Sequence, residues 1–227
     1  MQFKPVTHVI FDMDGLILDS ESGYKRILNS IALQHGKKYI PEVEKRILGT
    51  TETDTAEIFL TELEIPLSTK EFLDIYHKQV AIELQHPALM PGIEKLVTHL
   101  AKHNVPIAVA TSSSKEGFTV KSKNHQHLFK LFHHIVCGST DPDVKNGKPA
   151  PDIFLVCASR FPDNPDPKQC LVLEDAPNGI NGALKAGMQA VLVPAKDIEP
   201  DLKKATLVLE SLEDFKPEVF GLPPFDI

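Results

Sequence analysis

Short apolar runs rich in valine and isoleucine recur along the chain, and they constrain its fold most. Each run is four or five residues long, which suits a strand that is buried on both faces. The runs are residues 7–11, 107–110, 134–137, 170–173 and 190–193, with residues 205–209 as a candidate sixth. Helical patterns separate the later runs, at residues 93–103, 153–160 and 178–186. This alternation predicts an α/β fold with a doubly wound, Rossmann-like parallel sheet.

Residues 18–87 break the alternation. Four helical patterns follow one another there, at residues 20–35, 42–48, 53–63 and 69–85, with no strand between them. A helical run of this length does not fit inside a parallel sheet, so we predict an all-helical cap domain inserted after the first strand. The predicted catalytic core then comprises residues 1–17 and 88–227, and the predicted cap comprises residues 18–87.

The composition excludes several classes of partner. A length of 227 residues suits one α/β domain with a smaller insertion. The formal net charge of −7 argues against a nucleic-acid polymer as the main partner. No apolar stretch approaches the roughly 18 residues that a membrane span needs. Cys137, Cys157 and Cys170 lie in apolar surroundings without a C-x-x-C pair, so we predict unpaired thiols and a cytoplasmic location. For the oligomeric state, a monomer is the default expectation.

Polar residues follow the predicted strands at their carboxyl ends, where open parallel sheets bind ligands. Carboxylates follow the first and the 170–173 strands, hydroxyls follow the second, and one lysine lies in the loop after the third. These residues are Asp12, Asp14, Thr111, Ser112, Lys148, Glu174 and Asp175. Taken singly, each has an ordinary explanation as a turn residue, a helix cap or a surface charge. Together, at one edge of one sheet, they predict an active site.

The residue types fit phosphoryl transfer. Crowded carboxylates repel a phosphate dianion unless a hard cation lies among them, and Mg²⁺ with its oxygen ligands suits that role. Asp12 can then attack phosphorus as a nucleophile. Asp14 can act as general acid on the leaving oxygen and as general base on water. Gly15 permits the turn between them, and Thr111 and Lys148 can stabilise the phosphoryl oxygens.

The same residues resemble the four motifs of the haloacid dehalogenase-like phosphatases. The matching segments are DMDG at 12–15, TS at 111–112, Lys148 within GKPAPDIF and the ED pair within LEDAPNGI. The inserted helical region is similar to the first type of cap in that superfamily. The resemblance implies a nucleophile that also binds the metal at Asp12, and an acid/base at Asp14 that binds the metal through its backbone carbonyl. It further implies a metal ligand at Asp175 with Glu174 beside it.

The resemblance also implies phosphate binding by Thr111, Ser112 and Lys148. Longer blocks, among them GKPAPDIFLVCASRF and EDAPNGINGALKAGMQAVLVP, resemble family members that act on pseudouridine 5′-phosphate. Similarity in the cap is looser, and the cap sets the choice of substrate in this superfamily. The expected substrate is therefore pseudouridine 5′-phosphate, with other nucleotides and sugar or polyol phosphates as alternatives.

Three other functions compete with the phosphatase interpretation. Dehalogenases of the superfamily attack carbon without a metal and need no second aspartate, so Asp14 argues against that chemistry. Sugar-phosphate mutases of the β-phosphoglucomutase type share the four motifs, but they carry a histidine where this chain has Tyr24. They also carry basic residues in cap loops, whereas residues 48–51 offer none. A non-enzymatic binding module would not need the complete set of reactive residues.

Overall fold

A six-stranded parallel sheet forms the centre of the protein, and the computed structural model describes residues 3–194 and 204–226. The strand order is β3-β2-β1-β4-β5-β6, with every neighbouring pair parallel. The strands are β1 (His8–Phe11), β2 (Ile107–Thr111), β3 (His134–Cys137), β4 (Cys170–Glu174), β5 (Gln189–Leu192) and β6 (Leu207–Val208). The predicted doubly wound α/β class is confirmed.

Nine α-helices accompany the sheet within the described ranges. They are α1 (Glu21–Gln34), α2 (Pro41–Ile47), α3 (Glu52–Glu62), α4 (Thr69–Glu83), α5 (Ile93–Lys102), α6 (Lys115–Ser122), α7 (Gln126–Phe129), α8 (Asp152–Ser159) and α9 (Pro177–Lys185). All seven predicted helices are present, with ends that differ from the prediction by at most two residues. The sequence patterns did not predict α6 and α7.

The sheet is buried on both faces. Successive side chains along a strand point to opposite faces, and each face packs against an apolar layer. Val9 and Phe11 of β1 belong to the layer that includes α5. Ile10, between them, belongs to the layer formed with α8 and α9. Full burial of such a side chain contributes about 1.5–3 kcal/mol. The near-continuous apolar strands in the sequence therefore follow from burial on both sides.

Helices α1 to α4 form an inserted all-helical unit with a hydrophobic core of its own. Phe59 and Phe72 are fully buried at its centre, with their ring centroids 5.2 Å apart. A capping box starts α4: Ser68 Oγ accepts from the Glu71 backbone N–H at 3.2 Å, and Glu71 Oε2 accepts from the Ser68 backbone N–H at 2.8 Å. The unit follows β1 directly, at the end of the sheet where the site lies.

The three cysteines are unpaired, as predicted. Cys157 and Cys170 are buried and Cys137 is partly buried. Burial raises the pKa of Cys137 to about 11 and that of Cys170 to about 12, so both remain neutral thiols at pH 7. Within residues 3–194 and 204–226, no helix has the length and apolar character needed to cross a membrane.

Candidate active site

The carboxyl ends of three adjacent strands meet at one edge of the sheet. Phe11, the last residue of β1, is paired with Val109 on one side and with Leu173 on the other. The residues that follow these positions are therefore neighbours in space. Asp12 lies in the middle of them, and its backbone N–H donates to the Leu173 carbonyl at 2.9 Å.

A buried ion-pair network holds Asp12. Lys148 Nζ donates to Asp12 Oδ1 at 2.6 Å, to Glu174 Oε1 at 2.6 Å and to the Ala110 carbonyl at 3.1 Å. Burial alone would lower the pKa of Lys148, but Asp12 and Glu174 outweigh it and hold that pKa above its ordinary value. Lys148 is therefore a fixed cation beside the predicted nucleophile, not a surface lysine.

Glu174 is held in place on both of its carboxylate oxygens. Oε1 accepts from Lys148, and Oε2 accepts from the backbone N–H groups of Asp175 at 3.1 Å and Ala176 at 3.2 Å. Gly179 is needed for this packing, because a Cβ atom there would lie 1.8 Å from Glu174 Oε1. Glu174 thus positions Lys148 beside Asp12.

Asp175 carries the orphan oxygen of the site. Its Oδ2 is buried and has no hydrogen-bond partner among the described residues. Carboxylate oxygens of Asp12, Glu174 and Asp175 all lie within 4.8 Å of one another. Oxygens that share one Mg²⁺ at about 2.1 Å lie roughly 3–4 Å apart. An unpaired buried carboxylate is costly, so this donor set fits a hard divalent cation.

Gly15 lets the chain pass close to that oxygen. Its φ is +83°, and a Cβ atom at this position would lie only 2.1 Å from Asp175 Oδ2. A side chain would therefore be strained in its backbone and would also displace the orphan carboxylate. The D-x-D-G sequence needs its glycine for both reasons.

Asp14 lies in a second ion-pair network that the sequence did not predict. Lys121 Nζ, on α6, lies 2.5 Å from Asp14 Oδ1 and 2.6 Å from Asp14 Oδ2. Ser20 Oγ donates to Oδ1 at 2.6 Å and Ser113 Oγ donates to Oδ2 at 2.9 Å. Burial pushes the pKa of Asp14 up, but Lys121 and these hydrogen bonds outweigh it and leave that pKa below its ordinary value.

The two hydroxyl residues after β2 differ in their contacts. Thr111 is fully buried, and its Oγ1 accepts from the Ser113 backbone N–H at 3.1 Å and lies 3.4 Å from Asp14 Oδ2. Ser112 Oγ donates to the carbonyl of Gly49 in the helical unit at 2.9 Å. Ser112 thus links the sheet edge to the loop that covers it.

The helical unit and the sheet edge line a cavity above Asp12. All three tyrosines of the chain, Tyr24, Tyr39 and Tyr76, line this cavity. The rings of Tyr24 and Tyr76 are stacked, with centroids 6.1 Å apart. Among the described residues that line the cavity, Lys25 is the single basic one, and its Nζ pairs with Glu44 at 3.1 Å.

Three carboxyl groups at the floor of the cavity, those of Asp12, Glu21 and Asp175, hold protons more tightly than usual. Burial, with the charges of Glu174 and Asp14, raises the pKa of Asp12 to about 8 against the opposing effect of Lys148. Burial, with the charges of Asp14 and Asp12, raises the pKa of Glu21 to about 8. Burial and the charge of Glu21 raise the pKa of Asp175 well above its ordinary value. Negative charge is thus undercompensated in the metal-free site.

These shifts predict the pH dependence of stability for the metal-free protein. The folded state keeps protons that the unfolded chain releases above about pH 4, so the free energy of unfolding falls as pH rises from about 4 to about 8. In chelator, we expect a lower melting temperature at pH 7.5 than at pH 5.5. Mg²⁺ should raise the melting temperature more at pH 7.5, because binding competes with protons.

Asp12→Asn is the matched control for this prediction, because it removes one of the titrating groups. The variant in chelator should lose less stability than the wild type between pH 5.5 and 7.5. An equal loss in both proteins would show that Asp12 does not contribute to the pH dependence.

The fold and this set of residues define a family, and comparison with known proteins identifies it. The chain matches the haloacid dehalogenase-like hydrolase family over residues 9–193, and it belongs to that family. It is 45% identical over 223 residues to a protein of Drosophila melanogaster named probable pseudouridine-5′-phosphatase, covering 98% of this chain and 96% of that one. It is 41% identical over 225 residues to (DL)-glycerol-3-phosphatase 2 of Arabidopsis thaliana, covering 97% and 93%.

A solved structure extends the comparison to the fold. The β-phosphoglucomutase of Clostridium difficile superimposes with a TM-score of 0.74 at 26% identity, covering 94% of each chain. Both relatives described above carry the names of phosphatases. This chain is therefore a phosphatase that acts on small phosphorylated substrates.

Proposed function

We propose that this phosphatase uses Mg²⁺, forms a phosphorylated Asp12 and hydrolyses pseudouridine 5′-phosphate. The observation that carries the proposal is the position of Asp12 at the floor of the cavity. One of its oxygens is held by Lys148 at 2.6 Å, and the orphan oxygen of Asp175 lies in the same carboxylate cluster. The nucleophile and a carboxylate cluster that fits a cation thus lie at the floor of one cavity, with the ammonium group of Lys148 beside the nucleophile.

The proposed reaction has two steps. In the first, a carboxylate oxygen of Asp12 forms a bond to phosphorus, the ester P–O bond breaks, and the leaving oxygen takes a proton from the protonated form of Asp14. In the second, a water oxygen attacks phosphorus while Asp14 takes a proton from that water, and the bond between phosphorus and Asp12 breaks. The products are an alcohol and inorganic phosphate, and both side chains return to their starting forms.

Asp12, Asp175 and the backbone carbonyl of Asp14 would hold the metal. When bound, Mg²⁺ neutralises part of the carboxylate charge and polarises the phosphoryl oxygens. Thr111, Ser112 and Lys148 would bind the phosphate. Lys148 supports this role by its fixed charge next to Asp12, and Thr111 by its hydroxyl at the same sheet edge.

The character of the cavity supports a nucleoside as the leaving group. A pyrimidine ring can stack on the tyrosine rings, and the glutamates of the lining can accept hydrogen bonds from a base or a ribose. Pseudouridine joins uracil to ribose through carbon, so its base keeps two ring N–H donors where uridine keeps one. Buried acceptors discriminate strongly against a ligand that lacks the matching donor.

Two alternatives have a specific observation behind them. The Arabidopsis relative is named for glycerol 3-phosphate, which supports a polyol phosphate as the second candidate substrate. The fold similarity to a phosphoglucomutase supports a mutase. A mutase must also bind a second phosphate, and Lys25 is already paired with Glu44 in the cavity lining. The charge of the lining therefore favours hydrolysis.

We also propose that residues 18–87 act as a cap domain over a core of residues 1–17 and 88–227. Contacts across this division support the proposal: Ser112 Oγ donates to the Gly49 carbonyl, and Asn178 Nδ2 donates to the Leu48 carbonyl at 2.8 Å. A monomer in a reducing cytoplasm completes the proposal, consistent with three unpaired thiols.

A turnover screen tests the proposal. The purified protein with Mg²⁺ is assayed for phosphate release from pseudouridine 5′-phosphate, uridine 5′-phosphate, glycerol 3-phosphate and a hexose 6-phosphate. We expect the highest kcat/KM for pseudouridine 5′-phosphate. A preference for glycerol 3-phosphate would establish the polyol alternative. A separate incubation with a hexose 1-phosphate tests the mutase, which its conversion to the 6-phosphate would establish.

The cap loop and Lys148 should affect this panel differently. Substitutions at residues 48–51 should change the order of substrates, because the loop covers the leaving group. Lys148→Ala should lower kcat/KM for every substrate by a similar factor, because every substrate presents the same phosphate. Melting curves check that Lys148→Ala, which leaves Asp12 and Glu174 without their cation, remains folded. The proposed separation of roles is wrong if the loop variants change kcat/KM by the same factor for all substrates while Lys148→Ala changes their order.

A further inference from the structure

Lys121 is a buried cation that the reaction as written above does not use. Its side chain is fully buried in α6, outside the motifs that define the family site. Lysine is among the residues least often buried, since the ammonium group loses its hydration unless it is paired. Here the cost is offset by a complete set of oxygen partners.

Four oxygen atoms surround the Lys121 ammonium group. Two belong to Asp14, at 2.5 and 2.6 Å, and the others are Tyr24 Oη at 2.5 Å and Ser113 Oγ at 2.7 Å. Ser113 Oγ in turn donates to Asp14 Oδ2 at 2.9 Å. Lys121 therefore contacts both oxygens of Asp14, and Ser113 donates a hydrogen bond to one of them.

The two buried lysines of the site divide the carboxylates between them. Lys148 pairs with Asp12 and Glu174, and Lys121 pairs with Asp14. Without Lys121, the buried Asp14 carboxylate would face Asp12 with no cation of its own. Repulsion between the two carboxylates would then favour other orientations of the Asp14 side chain, away from the one that Lys121 holds.

We propose that Lys121 is a positioning residue for Asp14: it holds the carboxyl group where it can transfer a proton to and from the reacting oxygens. The inference rests on the proposed role of Asp14 as the acid and base. The contact with Tyr24, on the first helix of the inserted unit, extends the same network from the core to the leaving-group cavity.

A role in proton transfer has a signature that a structural role lacks. The ester oxygen of an alkyl phosphate needs a proton as it leaves, whereas p-nitrophenolate leaves as a stable anion. The ratio kcat/KM reports the steps up to the first irreversible one, here the departure of the leaving group. A displaced Asp14 should therefore lower kcat/KM for alkyl phosphates and spare p-nitrophenyl phosphate.

The test compares Lys121→Met with wild type on p-nitrophenyl phosphate and on the best alkyl phosphate of the panel, both with Mg²⁺. We expect kcat/KM for the alkyl ester to fall by about 10- to 100-fold, part of the roughly 10²- to 10⁴-fold that general acids contribute. For p-nitrophenyl phosphate we expect less than about a threefold change, because that leaving group needs no general acid. Asp14→Asn should show the same selectivity with a larger loss.

Two further variants keep the result interpretable. Lys123→Met, an exposed lysine just after α6, should leave both substrates unchanged. The glutamine of Lys121→Gln can still donate a hydrogen bond to the carboxylate. This variant should therefore fold even if Lys121→Met is unfolded, and its kcat/KM for the alkyl ester should fall less. An equal fall on both substrates, or no fall on the alkyl ester, would overturn the inference. Failure of the wild type to hydrolyse either substrate would instead count against the proposed function.

Discussion

Asp12→Asn should lower kcat/KM by more than about 10³-fold on every phosphomonoester, the scale expected when a covalent catalyst is removed. The amide is a poor nucleophile, and it also withdraws a negative charge from the cation site. The position of Asp12 makes this loss specific, because Lys148 and the Leu173 carbonyl hold the residue at the end of the central strand. The measurement is steady-state phosphate release at saturating Mg²⁺.

The fold should survive this substitution. Asparagine has nearly the same shape, and Lys148 keeps Glu174 as a charged partner at 2.6 Å. Because burial holds the pKa of Asp12 at about 8, the neutral amide removes an unfavourable charge, so the melting temperature in chelator at pH 7.5 should equal or exceed that of wild type. Asp19→Asn, an exposed aspartate seven residues further on, is the control that should keep full activity. If Asp12→Asn keeps activity within tenfold of wild type, Asp12 is not the nucleophile.

The sheet and the carboxylates could be predicted because they depend on local patterns. Buried parallel strands are short apolar runs wherever they occur, so β1 through β5 are visible without knowledge of the fold. The convergence of Asp12, Thr111 and Asp175 then follows from a general property of such sheets, whose carboxyl ends share one edge.

The second network could not be predicted in the same way. Helix α6 is short and mostly polar, KEGFTVKS, and its position depends on the loop before it, where Ser114 Oγ accepts from the Gly117 N–H at 3.1 Å. A lysine in such a segment is normally a surface residue. One signal was present: Gly117 and Lys121 are four residues apart, so they share the helix face that packs on the site.

The residues that line the cavity could not be predicted from the sequence either. Tyr24, Tyr39 and Tyr76 come from three segments of the inserted unit that are far apart in sequence, and only tertiary packing brings them to one space. No spacing rule relates them. In the proposed mechanism, substrate choice therefore depends on the part of the chain where sequence patterns carry least information, while the reaction depends on the part where they carry most.

Removal of Mg²⁺ should abolish turnover as completely as loss of the nucleophile. Five carboxylates, those of Asp12, Asp14, Glu21, Glu174 and Asp175, lie at or beside the floor of the cavity, against the ammonium groups of Lys121 and Lys148. A phosphate dianion cannot approach this excess of negative charge without a further cation. In chelator we expect a loss of at least about 10²-fold, the scale of lost electrostatic stabilisation at a transition state, with recovery on addition of Mg²⁺.

Two controls test the metal directly: replacement of Mg²⁺ by another ion, and substitution of a proposed metal ligand. Ca²⁺ should fail to restore activity and should inhibit in the presence of Mg²⁺, because it prefers more ligands and longer bonds than this compact carboxylate set offers. Asp175→Asn should raise the Mg²⁺ concentration for half-maximal activity by about 10-fold or more. Loss of a residue that only supports a metal ligand already has an effect of about this size, and Asp175 is proposed as a ligand itself. Lys123→Met, remote from the carboxylates, should leave that concentration unchanged. Full activity in chelator would remove the metal from the mechanism and leave the orphan oxygen of Asp175 without an explanation.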